Sequence, residues 1–341
     1  MTRIGMNPAR NRVSDYKPAR VTAAVLVYIP YLHGYFEHRM DVLRLCLSSL
    51  IQNTHEPFDL LVFDNGSCEE VKAYLQSLVE AGSIRYLMTS SENIGKIGAF
   101  EILFNAAPGE VIAFCDDDIF FYPGWLQEHL RLLDSYPDVG MVSGCAVRTL
   151  FDHGTLSNQK LAEIDPETNI EHGQFTHEEW EIAWAESYGR DIHAHLEALK
   201  GMQDMVIEHR GVRAFAVANH NQFLIPKNVI QSVLPETWSG RLMGQMVELD
   251  NEVDRRGHLR LSTIERTTQH MGNMVSPRMA AEAKQYGVSV EASDVKERRS
   301  GGGFWSAAVR LRPIRWLLQG LYNRLFWILS EQSGSWLEPK G

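Results

Sequence analysis

From Val21 onward, short apolar segments rich in β-branched residues alternate with longer segments whose apolar residues recur at helical spacing. Turn-forming residues such as Pro30 and Gly82 close these segments. The predicted strands are residues 21–30, 58–67, 84–90 and 109–118, and the predicted helices are 40–54, 69–82 and 95–105. Because strands that alternate with helices form βαβ units, the pattern predicts an α/β fold with a mostly parallel sheet flanked by helices.

Polar clusters follow two of these strands. The segment Asp-Asn-Gly-Ser at 64–67 ends the second strand, and the three aspartates at 116–118 end the fourth. In open α/β sheets, ligands bind beyond the carboxyl ends of the strands, so both clusters are expected at a ligand-binding edge. The chain has no GxGxxG after its first strand and no GxxxxGK[ST] segment, which argues against a dinucleotide-binding protein and a P-loop NTPase.

The run Asp116-Asp117-Asp118 suits a hard divalent cation. Mg²⁺ or Mn²⁺ is commonly held by one or two carboxylates, while phosphate oxygens of a substrate complete its coordination. Residues two apart on an extended segment point to the same side, so Asp116 and Asp118 are expected to act together while Asp117 points elsewhere. The alternative interpretation of so short an acidic run is a solvated turn that caps the next element.

Composition narrows the class of protein. A hydrophobic content of 44% over 341 residues is enough for a large core. The net charge is −10, and residues 151–210 contribute −9 of it, with 13 Asp or Glu against 4 Lys or Arg. This acidic balance argues against a nucleic-acid partner. The four cysteines show no CxxC spacing and are expected to be reduced thiols of a cytosolic protein.

Three segments, taken in order, resemble those of the inverting family-2 glycosyltransferases, which have the Rossmann-related GT-A fold. "VFDNGS" at 62–67 resembles the segment with the base-recognition aspartate. "SENIGKIGAFEILFNAAPGEVIAFCDDD" at 91–118 resembles the N-x-G stretch that leads into the DxD strand. "DIFFYPGWL" at 118–126 matches the Pro-Gly-Trp-Leu that follows. The resemblance covers roughly Val21 to Gly272 and implies the GT-A fold.

This resemblance implies a nucleotide-diphospho-sugar donor of the UDP, dTDP or GDP type. It implies that Asp64 contacts the nucleotide base, and that Asn93 and Gly95 belong to the donor-binding loop. Asp116 is expected to approach the ribose or a metal-bound water. The residues predicted to bind the donor are Ile29, Pro30, Asp64, Asn93, Gly95, Lys96, Asp116 and Asp117.

The resemblance also implies a metal site and a catalytic base. Asp118 is expected to ligate Mn²⁺ or Mg²⁺, together with His270, which follows the predicted acceptor-site strand. An inverting transfer needs one carboxylate that deprotonates an acceptor hydroxyl. The acidic helix that ends at Gly257 offers Asp250 as the predicted base and Glu248 as its alternative, since residues two apart on a helix do not face the same point.

The second half of the chain suggests an insertion and a tail. Residues 151–213 are predicted to form an acidic helical insertion over the acceptor side, with a helix that Thr176 caps. Its Trp180 and Trp184 are expected to pack against the body rather than to stack on sugars. The predicted organisation is a tail at 1–20, a nucleotide-sugar-binding half at 21–150, the insertion at 151–213, an acceptor and catalytic-base half at 214–275, and a linker with an amphipathic helix at 276–341.

The amphipathic segment at 304–330 is basic and strongly apolar. Its arginines disfavour a membrane span, because each central Arg costs about 2.5–3.5 kcal/mol on insertion scales. A surface helix on an anionic membrane is the favoured interpretation, with packing on the catalytic domain or on a second subunit as the alternative. The expected location is the cytoplasm, with peripheral attachment to the inner face of the plasma membrane.

Together these features predict a metal-dependent inverting glycosyltransferase. Its acceptor would be a hydroxyl of a glycan or a lipid-linked glycan in the synthesis of cell-surface polysaccharide or glycoconjugate. A sugar nucleotidyltransferase is a second possibility, although residues 28–40 contain one glycine instead of a Gly-rich basic loop. A third is a non-catalytic nucleotide- or glycan-binding protein with the same fold.

Overall fold

The computed structural model describes residues 5–234 and 246–288. The chain divides into two units, Met1–Ser293 and Asp294–Gly341, and every described residue lies in the first unit. The amphipathic helix predicted at 304–330 therefore lies outside the described residues. Within the described ranges, no helix has both the length and the apolar character needed to cross a membrane.

The described residues alternate between strands and helices as predicted. The strands are β1 Val21–Val27, β2 Phe58–Asp64, β3 Tyr86–Thr89, β4 Val111–Asp116, β5 Ile119–Phe121, β6 Val139–Ser143, β7 Thr168–Gly173, β8 Asp204–His209, β9 Val212–Phe215, β10 Gln222–Pro226, β11 Leu259–Ser262 and β12 Thr268–His270. The α-helices are α1 Arg39–Gln52, α2 Glu69–Glu80, α3 Gly95–Ala106, α4 Trp125–Ser135, α5 Leu156–Ile164, α6 Glu178–Ser187, α7 Ile192–Ala198, α8 Lys227–Val233, α9 Met246–Arg255 and α10 Pro277–Gln285. All seven elements predicted before Asp118 are present, with ends displaced by up to three residues.

Ten of the strands form one sheet in the order β3-β2-β1-β4-β10-β6-β11-β9-β8-β7. The pairs β3–β2, β2–β1, β1–β4 and β6–β11 are parallel, and the other five pairs are antiparallel. Strands β5 and β12 form a separate two-stranded sheet. The sheet flanked by helices is confirmed. The parallel strands β3-β2-β1-β4 are the part that is built from the predicted βαβ units.

The central strands are buried on both faces. In β1, Val25 belongs to an apolar cluster with Leu43 of α1, whereas Leu26 belongs to a cluster with Phe100 of α3 on the opposite face. Because successive side chains of a strand point to opposite faces, a continuous apolar run is what a sheet with helices on both faces requires. This explains why β1 shows no alternation of polar and apolar residues.

The segment predicted as a helical insertion also extends the sheet. It contains α5, α6 and α7, but β7 and β8 pair antiparallel and add to the end of the sheet beyond β9. The prediction that Thr176 caps α6 is wrong, because His177 occupies the N-cap and the Thr176 backbone N–H donates to Asp204 at 2.6 Å. Trp180 is buried in a small apolar cluster with Phe215, which confirms that it packs against the body.

Candidate functional site

The carboxyl ends of β2, β1 and β4 meet at one edge of the sheet. Asp64 is the last residue of β2 and Asp116 the last residue of β4, and β1 lies between these two strands. Ile29 and Pro30 follow β1 at the same edge, where the Ile29 backbone N–H donates to Ser67 Oγ at 3.0 Å. The predicted donor-binding residues of the first half are therefore brought together as parallel pairing of these strands requires.

Asp64 is fully buried and keeps one oxygen free of protein contacts. Its Oδ1 accepts from the Ser67 backbone N–H at 2.9 Å. Its Oδ2 is buried without a hydrogen-bond partner within the described ranges. An unpartnered buried carboxylate oxygen is costly unless a ligand supplies a donor, and the N–H group of a nucleotide base is such a donor.

The loop before α3 is held by two asparagines. Asn93 Oδ1 accepts from the Gly95 backbone N–H at 2.8 Å and from Asn65 Nδ2 at 3.0 Å. Asn65 Oδ1 in turn accepts from the Ile94 backbone N–H at 3.0 Å. Asn65 was not among the predicted donor-binding residues, although it directly follows the predicted base-binding aspartate. Its side chain joins the end of β2 to the predicted donor loop.

The three adjacent aspartates do not pair in the predicted way. Asp116 pairs with Lys96, whose Nζ lies 2.7 Å and 2.9 Å from the two carboxylate oxygens. Asp117 and Asp118 both pair with Arg39 of α1, and Arg39 Nη1 lies 2.8 Å from Asp118 Oδ2. The expectation that Asp116 and Asp118 point the same way is wrong, because β4 ends at Asp116 and residues 117–118 form a turn before β5.

His270 lies beside Asp118, as predicted for a shared metal site. Strand β12 pairs with β5 so that His270 is opposite Ile119, which places His270 Nε2 3.3 Å from Asp118 Oδ2. Arg39 also reaches the turn after β12, since its Nη1 donates to the Gly272 carbonyl O at 3.0 Å. The structure therefore brings together residues from α1, the turn after β4 and the end of β12.

The electrostatic setting separates the two buried aspartates. Burial raises the pKa of Asp117 to about 7, and the neighbouring charges of Asp118 and Asp116 add to the rise against the opposing effect of Arg39. Burial alone would also raise the pKa of Asp118, but His270 and Arg39 outweigh it and hold that pKa well below its usual range. Asp118 is thus the carboxylate that stays ionised, as a metal ligand must.

The geometry around Asp118 fits a cation that is shared with a substrate. No group of three or more His, Cys, Asp or Glu side chains is arranged to hold a metal ion in the described part of the chain. Asp118 Oδ1 and Asp117 Oδ2, however, are buried and have no hydrogen-bond partner within residues 5–234 and 246–288. With Asp118 and His270 as the two protein ligands, substrate phosphates and water would supply the remaining ligands, as is usual for Mg²⁺.

Arg39 belongs to the site although no motif in the sequence predicts it. Its side chain is 7% exposed, and the nearest of its carboxylate partners lies 78 residues away in the chain.

We expect Arg39→Met to lower the free energy of unfolding of the metal-free protein by about 1–3 kcal/mol, because two buried carboxylates lose their shared donor. Added Mn²⁺ should raise the melting temperature of this variant more than that of the wild-type chain, because a bound cation stabilises the native state.

The control for this prediction is Arg44→Met on the same helix. Arg44 lies over the Tyr74 ring, 5.5 Å from its centroid, and does not belong to the aspartate cluster. Thermal unfolding with and without Mn²⁺ measures both variants. An equal Mn²⁺ shift in Arg39→Met and Arg44→Met would show that the cation does not act at these aspartates.

Asp250, the first predicted base, is fully buried in a network of charged groups. Its Oδ1 lies 3.1 Å from Arg260 Nη2, and its Oδ2 lies 2.9 Å from His220 Nδ1 and 3.2 Å from His153 Nε2. Burial would raise its pKa, but Arg260 and the two histidines hold that pKa well below its usual range. The alternative, Glu248, is exposed in the first turn of α9.

The fold and this edge define an α/β protein with acidic residues at the carboxyl ends of its parallel strands. Residues 35–180, fewer than half of the 341, match the family model described as "Glycosyl transferase family 2". The chain therefore contains a family 2 glycosyltransferase domain. This finding confirms the family expected from the segments at 62–67, 91–118 and 118–126.

Curated relatives are similar over parts of their length. An uncharacterized glycosyltransferase of Nostoc sp. is 29% identical over 100 residues, which are 29% of this chain and 31% of that protein. Another from Rickettsia bellii is 24% identical over 131 residues, which are 38% of this chain and 17% of that protein. This chain thus spans less than a third of the length of these relatives.

Solved structures that resemble the chain are distant in sequence. The mannosyltransferase PcManGT of Pyrobaculum calidifontis, in complex with GDP-Man and Mn²⁺, is 20% identical, with 42% of this chain and 41% of that chain covered and a TM-score of 0.32. TarS residues 1–349 of S. aureus are 10% identical, with 74% and 60% covered and a TM-score of 0.44.

Proposed function

We propose that the protein is a metal-dependent inverting glycosyltransferase. It would move a sugar from a nucleotide-diphosphate donor to a hydroxyl of a glycan or a lipid-linked glycan. The observation that carries this proposal is a pair of buried carboxylate oxygens at one sheet edge that have no partner among the described residues, Asp64 Oδ2 at the end of β2 and Asp118 Oδ1 just after β4. The first suits a nucleotide base, and the second suits a cation bound to phosphate.

Different residues of this edge are proposed to bind different parts of the donor. Asp64 binds the base, and the loop with Asn93 and Gly95 borders the donor. Asp116 binds the ribose or a metal-bound water, and Lys96 holds the Asp116 carboxylate in place. Asp118 and His270 would hold Mn²⁺ or Mg²⁺, which neutralises the charge on the departing diphosphate.

The acceptor side is assigned to the first turn of α9. Only residues 256–258 separate α9 from β11, which is parallel to β6, so α9 runs back along the sheet and begins at the edge where the parallel strands end. Glu248 is the exposed carboxylate of that first turn. We assign the proton transfer to Glu248, and to Asp250 the task of holding His220 and Arg260 in place.

Calorimetric titration with UDP, dTDP and GDP, with and without Mn²⁺, tests the donor site. We expect one nucleotide to bind in a Mn²⁺-dependent manner, and Asp118→Asn to weaken that binding by at least about 100-fold, because a metal ligand contributes more than the outer-shell partners whose loss costs 10–100-fold. The matched control is Asp134→Asn, which removes a carboxylate from a surface pair with Arg20. If no nucleotide binds to the wild-type chain under any condition, the proposed function is wrong.

A further inference from the structure

The carboxyl end of α6 contacts the strand end that carries His270. The last residue of this helix is Ser187, and its Oγ lies 2.8 Å from Nδ1 of the His270 imidazole. The ring of Tyr188 stacks on the imidazole with a centroid separation of 4.6 Å and an interplanar angle of 13°. Two successive residues of the insertion therefore hold one predicted metal ligand, by a hydrogen bond in the ring plane and by contact with the ring face.

The hydrogen bonds of Ser187 make Nδ1 of His270 a donor. The single hydroxyl proton of Ser187 is donated to the Trp184 carbonyl O at 2.8 Å. Towards His270 the Ser187 oxygen therefore accepts, and Nδ1 must be the nitrogen that donates. The Nε2 atom faces Asp118 Oδ2 at 3.3 Å, so a cation that binds between them would take the place of the Nε2 proton that faces this carboxylate in the metal-free protein.

The backbones of the two segments touch at Gly272. Its φ is +73°, and a Cβ built there would lie 2.2 Å from the Ser187 carbonyl O. Only glycine fits such an approach without displacement of one segment. The turn after β12 is thus built to receive the end of α6, and the position of His270 depends on that contact.

The same end of α6 reaches the other side of the site. Tyr188 Oη accepts from Asn221 Nδ2 at 2.7 Å, and the Asn221 carbonyl O accepts from the Asp116 backbone N–H at 2.9 Å. Ser187 and Tyr188 therefore connect His270 to the segment that borders Asp116. The insertion contributes to the donor side of the site, whereas the sequence analysis placed it over the acceptor.

We infer that Ser187 and Tyr188 position His270 for cation binding, so that the insertion determines the affinity of the site for its metal. This inference rests on the proposed function. A histidine that ligates a metal commonly donates its other ring N–H to an oxygen, which fixes its orientation, and loss of that partner costs about 10- to 100-fold in metal affinity. Ser187 is in this sense a positioning residue and does not touch the substrate.

The test measures Mn²⁺ affinity by calorimetry on the full chain, in the presence of whichever of UDP, dTDP or GDP binds to the wild type. We expect Ser187→Ala to weaken Mn²⁺ binding by about 10- to 100-fold with its unfolding midpoint little changed. Ser187→Thr keeps the hydroxyl and should bind Mn²⁺ as the wild type does. The matched control is Ser232→Ala, because Ser232 Oγ donates to the Val229 carbonyl O at 2.8 Å in the same helical arrangement, far from His270 in the sequence.

Each outcome bears on the inference. Equal Mn²⁺ affinity in Ser187→Ala and the wild type would overturn it, and so would an equal loss in Ser232→Ala. If Ser187→Ala does not fold, the comparison passes to Tyr188→Leu, which removes the stacked ring and should also weaken Mn²⁺ binding. Absence of Mn²⁺-dependent binding in the wild type would overturn the proposed function and this inference together, whereas normal binding in the wild type and in Ser187→Ala overturns only the inference.

Discussion

Replacement of Glu248 by glutamine is expected to lower the rate of sugar transfer by about 10²- to 10⁴-fold, the usual contribution of a general base. Glutamine has nearly the same size as glutamate but cannot accept a proton from a hydroxyl. Because Glu248 is exposed in the first turn of α9, the free energy of unfolding should change by less than about 0.5 kcal/mol. Metal-dependent binding of the nucleotide should also be retained, because Glu248 is assigned to the acceptor and is not among the residues proposed to bind the donor or the metal.

The comparison that decides the base is Glu248→Gln against Asp250→Asn. The rate is measured as release of nucleoside diphosphate when the sugar of the matching nucleotide sugar is transferred to an acceptor or to water. Asp250 is fully buried against Arg260, so its variant should chiefly lose stability. If Asp250→Asn loses the rate at unchanged stability while Glu248→Gln keeps it, the proton passes to Asp250 or through His220, and the assignment of Glu248 fails.

Replacement of Arg260 by methionine is expected to lower the free energy of unfolding by about 3–5 kcal/mol, the usual cost when one partner of a buried ion pair is removed. Arg260 and Asp250 are both fully buried, and 3.1 Å separates Arg260 Nη2 from Asp250 Oδ1. The same guanidinium donates to the carbonyl O of Ala218 at 2.6 Å and to those of His153 and Gly154 at 3.2 Å. Methionine leaves a buried carboxylate without its cation and three carbonyls without a donor.

Urea unfolding at equilibrium measures this loss, and Arg256→Met is the matched control. Arg256 pairs with Glu252 at 2.8 Å on the surface of α9, where an exposed pair contributes no more than about 1 kcal/mol. The double variant Asp250→Asn with Arg260→Met should be more stable than the sum of the two single losses implies, since the two residues interact directly. Strict additivity would show that the pair contributes nothing beyond its separate members.

The elements of the first half were predictable because their signals are local. The apolar run of β1 and the helical spacing in α1 depend on neighbouring residues, and Gly82 ends its helix with a φ of +75°. These elements form the parallel order β3-β2-β1-β4, in which strands that follow one another in the chain are joined by βαβ connections of the kind that the pattern predicted. For the same reason Asp64 and Asp116 were correctly placed at one edge, since parallel strands end on the same side.

The antiparallel part of the sheet was not predictable in this way. Strand β10 lies between β4 and β6, yet more than 100 residues separate it from β4 in the chain. Strands β7 and β8 lie in a segment whose acidic and aromatic residues indicated helices. Sequence periodicity reports which face of an element is buried, but pairing partners that are distant in the chain are chosen by packing of the whole sheet.

The sequence by itself determined the α/β class, the βαβ half and the acidic edge, because hydrophobic periodicity and turn residues act over a few neighbours. Only the tertiary structure decided how the charges at that edge are paired. Asp117 and Asp118 turn towards Arg39, and Asp118 meets His270, which lies 152 residues further along the chain in the sequence. Buried charges must find partners, and those partners come from whichever helix or strand end the packing brings within hydrogen-bond distance.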